Sequence, residues 1–138
     1  MKPRFLTLED ILFLHEDRIA RYGGTLGVRD IGLLQSALGM PSVTFSGALL
    51  HESMPHMAAA YLFHIAMNHP FLDGNERTAL AAAIAFLGVN GWSLDADPDE
   101  LTETVLGVAA GTISKAALAV FFEEHALLSA HMSERERG

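Results

Sequence analysis

The chain has 138 residues, half of them apolar and 19% charged, a globular composition for one domain with its own core that excludes a disordered linker or tail protein. It has no cysteine, so disulfide frameworks, zinc–thiolate sites and thiol nucleophiles are excluded. Seventeen acids against nine Lys and Arg give a formal net charge of −8, with too few clustered cations to coat nucleic acid or an anionic membrane.

The longest apolar run, Ala79 to Val89, is short of the ~20 residues that a spanning helix needs. Glu9, Asp10, Glu16 and Asp17 interrupt any signal-like segment at the start, so a cytoplasmic protein is expected. No internal repeat, low-complexity segment or linker divides the chain. One domain over 1–138 is expected, with a core of about 5–127 and a polar tail at 132–138.

The patterning is helical nearly throughout. Thr7 followed by Asp10 resembles a capping box, and Leu8, Ile11, Leu12, Leu14, Ile19 and Tyr22 mark a mostly apolar stripe that Gly23-Gly24 ends. A second helix fits Asp30 to Leu38, with Ile31, Leu34 and Leu38 on one face, stopped by Gly39-Met40-Pro41. Residues 41–53 read as a loop or small hairpin, because Ser42-Val43-Thr44-Phe45 has β-propensity but is short. A third helix is expected from about Pro55 to Asn68. A fourth fits Asn75 to Val89, closed by Asn90-Gly91; it is apolar almost all round, which predicts the buried centre of the domain.

Two more helices complete the chain. One spans roughly Asp97 to Ala109, with Asp97, Asp99 and Glu100 suiting its dipole, and the other runs from Ser114 to about His131. The expected fold is all-α, about six helices around a central hydrophobic one.

The chemistry concentrates in His69-Pro70-Phe71-Leu72-Asp73-Gly74-Asn75-Glu76-Arg77, between the third and fourth helices. Pro70 biases His69 toward an extended conformation, Phe71 is an apolar anchor, Gly74 permits a positive φ, and Asn75 is a good N-cap. A glycine-containing loop entering a helix N-terminus is a ready anion site. Arg77 adds a bidentate donor for phosphate oxygens, Asp73 a hard oxygen for Mg²⁺, and His69 a base near neutral pH. Singly, each piece is an ordinary turn, cap or surface charge. Together they are the parts of phosphoryl or nucleotidyl transfer to a hydroxyl.

The segment resembles the signature of the Fic/Doc superfamily, His-x-Phe-x-Asp/Glu-Ala/Gly-Asn-x-Arg. Similarity to the Doc (death-on-curing) branch covers roughly residues 5–127. It takes in Leu14-His15, Arg21-Tyr22-Gly23-Gly24, Arg77-Thr78-Ala79-Leu80, Phe86-Leu87, Asn90-Gly91 and the run from Gly107 to Ser114. The resemblance implies a toxin of a toxin–antitoxin pair that transfers the γ-phosphate of ATP to a threonine of translation elongation factor Tu. In that assignment His69 activates the acceptor hydroxyl, Asp73 holds Mg²⁺, and Gly74, Asn75 and Arg77 hold phosphates. Fic enzymes instead transfer AMP and usually carry a second Arg three residues after the first; Leu80 stands there, favouring the Doc side. Self-inhibited Fic proteins carry Ser/Thr-x-x-x-Glu-Gly/Asn, which this chain lacks, so the resemblance implies inhibition by a separate antitoxin folding into a groove.

One position departs from the pattern. Doc has Lys, and Fic enzymes typically Gly, where this chain has Glu76. A carboxylate among phosphate donors opposes a triphosphate. Glu76 therefore faces outward harmlessly, helps hold Mg²⁺ or another donor, or leaves a weak enzyme or a binding protein.

The remaining polar clusters have simpler readings. His51, His56, His64, His125 and His131 invite a metal reading, but the spacings 51–56 and 64–69 are not those that put two ligands on one helical face, so a metal–histidine cluster is not expected, and His64 reads as a hydrogen-bonded helix residue near the site. The acids from Asp95 to Glu103 lack the EF-hand spacing and its Gly. The dispersed Met residues read as core filler, and Trp92 as packing.

Overall fold

The structure, a computed structural model, describes residues 2–129. Six helices occupy Leu8–Tyr22 (α1), Ile31–Gly39 (α2), Met54–Asn68 (α3), Asn75–Val89 (α4), Pro98–Ala109 (α5) and Lys115–His125 (α6). Short polar residues set most of the starts. Thr7 and Asp10 form the reciprocal capping box, Asp30 accepts the Leu33 amide at 3.0 Å, and Ser53, Asp97 and Ser114 cap α3, α5 and α6. Gly23, at φ 84°, stops α1 with its N–H on the Ile19 carbonyl.

The centre of the domain is α3 rather than α4. Ten of its fifteen residues are buried, and it packs against α2, α4, α5 and α6. The fourth helix has a solvent face: Ile84 is 44% and Val89 43% exposed. Its buried face carries Ala79, Ala82, Ala83, Phe86 and Leu87. The small alanines permit close approach to α3, and Phe86 packs against the Tyr61 ring of α3, centroids 5.1 Å apart. In α3 the residues His56, His64 and Asn68 break up an otherwise apolar sequence, which hides its centrality from a hydropathy reading.

The sixth helix is shorter than expected. It ends at His125, and Ala126–Leu128 forms a strand antiparallel to Trp92–Leu94, pairing Trp92 with Leu128 and Leu94 with Ala126. The pairing is extended by Asp95 N–H to the His125 carbonyl and Ser129 N–H to the Gly91 carbonyl. Ala-Leu-Leu favours helix locally, and the non-local ladder overrides that preference. Trp92 packs against the core as expected and also belongs to this ladder. His131 and the polar tail lie outside the described residues.

Residues 41–53 hold a 3₁₀ turn (Met40–Ser42) and a small hairpin, Thr44–Phe45 with Ala48–Leu49. Ser46 and Gly47 both take positive φ, which matches the twist of a two-residue hairpin turn. No described helix is long and apolar enough to cross a membrane.

His64 differs from its expected role. Its Nε2 is buried with no protein hydrogen-bond partner, and its charged neighbours are Lys115 and His51. Burial first, then Lys115 and His51, push its pKa from 6.5 down to about 4. The unfolded chain therefore binds this proton at a higher pH than the folded chain. Stability from a neutral His64 is complete above pH 6.5 and is lost as pH falls from there toward 4. Thermal melts across that window are expected to show a falling Tm, and His64→Leu to flatten the fall; an equal slope in both proteins would assign it elsewhere.

Candidate functional site

The segment from His69 to Arg77 turns sharply out of α3 and enters α4. The expected break at His69 is present, but its conformation is left-handed, at φ 49° and ψ 53°, rather than extended. Pro70 disfavours the right-handed helical region at His69, and the left-handed alternative is costly for a residue with a Cβ. Local bonds hold it there. The His69 N–H donates to the Ile65 carbonyl, and Arg29 donates from Nε to the His69 carbonyl at 2.7 Å and from a terminal nitrogen to the Asn68 carbonyl at 3.0 Å.

The His69 ring has a defined polarity. Its Nδ1 lies 2.9 Å from the Ala66 carbonyl, which can only accept, so Nδ1 carries the proton. In the neutral imidazole the lone pair is then on Nε2, on an exposed side chain.

Beyond His69 the loop is tied to the segment before α2. Arg29 and Asp30 amides donate to the Pro70 carbonyl, and Leu72 N–H to the Gly27 carbonyl. Phe71 is the expected anchor, 1% exposed, and its ring stacks on His15 at 3.8 Å between centroids. His15 is itself buried, and its Nε2 donates to the Asp73 carbonyl at 2.9 Å. The residue enters the sequence argument only through the Leu14-His15 pair; nothing in the spacing signals that α1 delivers a buried imidazole beneath the loop.

Asn75 is placed differently from its expected N-cap role. Gly74, left-handed at φ 72°, is the N-cap, and Asn75 is the first helical residue. The Asn75 side chain is buried and turned back: Oδ1 accepts the Phe71 N–H at 2.9 Å and Nδ2 donates to the Phe71 carbonyl at 3.1 Å. It therefore closes the loop from inside. Asn75→Ala leaves two buried backbone groups unpaired and is expected to cost about 2–4 kcal/mol, measured by urea unfolding. Asn75→Asp, which keeps the acceptor for Phe71 N–H but sets a buried carboxylate oxygen against the Phe71 carbonyl, is expected to cost at least as much.

Asp73 is exposed but oriented. One carboxylate oxygen accepts the Gly74 N–H at 2.9 Å and the other the Thr25 N–H at 3.2 Å. Gly24 makes room for it, since a Cβ at Gly24 would lie 2.7 Å from that second oxygen. Arg77, also exposed, donates to the Gly23 carbonyl at 3.1 Å and lies 5.5 Å from the Tyr22 ring centre, while Arg18 lies 5.4 Å from the same ring.

A pocket of about 390 Å³ opens at this helix start. It brings together Asp73, Gly74, Glu76 and Arg77 with Leu80 of α4 and α5 residues including Thr102 and Leu106. His69 and Asn75 are outside its lining. Glu76 is half-buried, lines the pocket and has no ion-pair partner among the described residues. Contributions from α5 were not signalled by the motif, because they come from a segment more than twenty residues downstream.

The donor set suits Mg²⁺ held together with phosphates. No three His, Asp or Glu side chains converge among the described residues to form a closed cage. Mg²⁺ instead keeps several waters and takes one or two carboxylates plus substrate phosphates, which a single oriented Asp73 can provide. The first-turn amides of α4 have no acceptor within the helix, and the helix dipole favours negative charge there.

Comparison with known proteins shows the family. The sequence profile of the Fic/DOC family matches residues 5–87. The chain is similar to "Toxin Doc" of Mycolicibacterium smegmatis, 43% identical over 95 residues that cover 69% of this chain and 71% of that protein. It is also similar to "Protein kinase doc" of Escherichia phage P1, 34% identical over 116 residues that cover 84% of this chain and 90% of that protein.

Proposed function

This chain belongs to the Fic/DOC family, and we propose that it is a Doc-type toxin that transfers the γ-phosphate of ATP to a hydroxyl of a target protein. The observation that carries this reading is the His69 ring: with Nδ1–H committed to the Ala66 carbonyl, Nε2 is free to take the proton of an incoming hydroxyl. Arg77 and the amide-rich start of α4 bind phosphate oxygens. Asp73, fixed by Gly74 and Thr25 amides, is the residue that would hold Mg²⁺. Held there, the ion would neutralise phosphate charge. Asn75 serves by holding the loop rather than by touching phosphate with its side chain. Leu80 in the pocket wall, where AMP-transferring members usually carry a second Arg, supports γ- over α-phosphate transfer.

By the same reading, the acceptor is a threonine of elongation factor Tu, the inhibitor is a cognate antitoxin, and the protein works in the cytoplasm. The test uses ATP labelled on either the α or the γ phosphate, incubated with the protein, Mg²⁺ and elongation factor Tu. Label from γ alone is expected. Label from α would mean AMP transfer, and no label with folded protein would overturn the enzyme reading. A second reading, a nucleotide-poor binding protein on the same fold, is favoured by one observation: Glu76 lines the pocket that a triphosphate would enter.

A further inference from the structure

Beneath the motif loop, α1 turns His15 and, one turn later, Ile19 toward Gly74: a Cβ on Gly74 would lie 3.0 Å from Ile19 Cδ1 and 3.9 Å from His15 Nε2. His15 is 2% exposed, its ring stacks on Phe71, and its Nε2 lies 2.9 Å from the Asp73 carbonyl. A carbonyl only accepts, so Nε2 carries the proton. This is the opposite tautomer to that of His69, whose proton is on Nδ1.

The bond reaches further than the carbonyl it ends on. A peptide bond is planar and trans, so its C=O and its N–H point to opposite sides. With the Asp73 carbonyl turned in to His15, the Gly74 N–H of the same peptide faces away from the ring, and it donates to Asp73 Oδ1 at 2.9 Å. The Thr25 N–H, from the loop that leaves α1, donates to Oδ2 at 3.2 Å. The carboxylate is thus fixed at both oxygens, and each keeps a lone pair for a ligand. A flip of this peptide would take the Gly74 N–H off the carboxylate and turn a carbonyl oxygen outward in its place. Gly74, at φ 72°, resists such a flip weakly, because glycine populates both signs of φ.

We propose that His15 is a positioning residue: its Nε2–H holds the Asp73–Gly74 peptide in this orientation and so aims the Asp73 carboxylate at Mg²⁺ and nucleotide. The inference rests on the ATP reading for what Asp73 holds, and not on which phosphate is transferred. Arg29 braces the His69 end of the loop; His15 braces the Asp73 end.

Two measurements on the whole chain test it. In the protein without ligand, long-range ¹H–¹⁵N spectra read the histidine tautomers, and His15 is expected in the Nε2–H form. Calorimetry with Mg²⁺ and a non-hydrolysable ATP analogue then compares variants whose folding is checked by melting. His15→Phe keeps a stacking ring but no donor, and is expected to weaken binding by about tenfold. His15→Gln returns an N–H of similar reach, and is expected to bind within about threefold of wild type. In an Asp73→Asn background, His15→Phe is expected to cost less than about threefold, because the group that it aims is already changed. A His15 in the Nδ1–H form, a folded His15→Phe as tight as wild type, a His15→Gln about tenfold weaker, or an undiminished loss in the Asp73→Asn background would overturn the proposal. Wild type that binds the analogue with Mg²⁺ but transfers no label overturns the transfer reading and leaves this one standing. Wild type that binds no analogue overturns both.

Discussion

His69→Ala is expected to lower phosphate transfer by about 10²–10⁴-fold, the range that a positioned general base contributes. The loss belongs to the chemical step, so binding of ATP with Mg²⁺ is expected to be nearly unchanged. Stability is also expected to hold within about 1 kcal/mol, because the exposed ring makes one hydrogen bond, to the Ala66 carbonyl. The companion variant is Arg29→Ala, which removes the two bonds to the His69 and Asn68 carbonyls and frees the left-handed turn. The ring then loses its aim without losing its chemistry, and a drop of about tenfold in kcat with an unchanged KM for ATP is expected. Label-transfer assays with γ-labelled ATP measure both. A His69→Ala protein that keeps more than a tenth of the wild-type rate would remove the base from the scheme.

The two variants also separate what was legible in the sequence from what was not. His69, Asp73, Gly74 and Arg77 could be read from residue types alone, because each carries chemistry in its side chain or its freedom of φ. Arg29 and His15 could not. Their work is done through space, across 40 and 58 positions of chain, on carbonyls that any residue would present. Asn75 shows the same limit from the other side. Its type suits a cap, and spacing cannot reveal that its amide turns inward to close on Phe71. The helix starts were legible because Ser, Thr and Asp caps act within three residues. The end of α6 was not, because Ala126–Leu128 leaves the helix for a partner more than thirty residues away. The centrality of α3 was hidden for a related reason: burial depends on how many helices surround a segment, and the apolar run of α4 is the longer one.

Glu76 carries the other large effect. It stands in the first turn of α4, half-buried, on the wall shared with Asp73 and Arg77. A unit charge 4 Å from a phosphate oxygen opposes it by ~1 kcal/mol in water and ~4 kcal/mol at an effective dielectric of 20. A half-buried carboxylate falls between these limits, and each 1.4 kcal/mol is tenfold in affinity. Glu76→Lys is therefore expected to tighten binding of ATP with Mg²⁺ by about 10–100-fold, and Glu76→Gly by less, since it removes the repulsion without adding a cation.

The same substitution acts in the opposite direction on the protein without nucleotide. A carboxylate in the first turn favours the helix dipole by about 0.3–1 kcal/mol, so Glu76→Lys is expected to melt lower when no ATP is added. The two melting curves should cross as ATP is raised, with the Lys variant lower at zero nucleotide and higher at saturation. Added salt should shrink both differences, because the pocket is open to solvent. If wild type is stabilised by ATP as strongly as the Lys variant, the carboxylate does not oppose the triphosphate. The departure from the family pattern at position 76 would then leave nucleotide affinity intact.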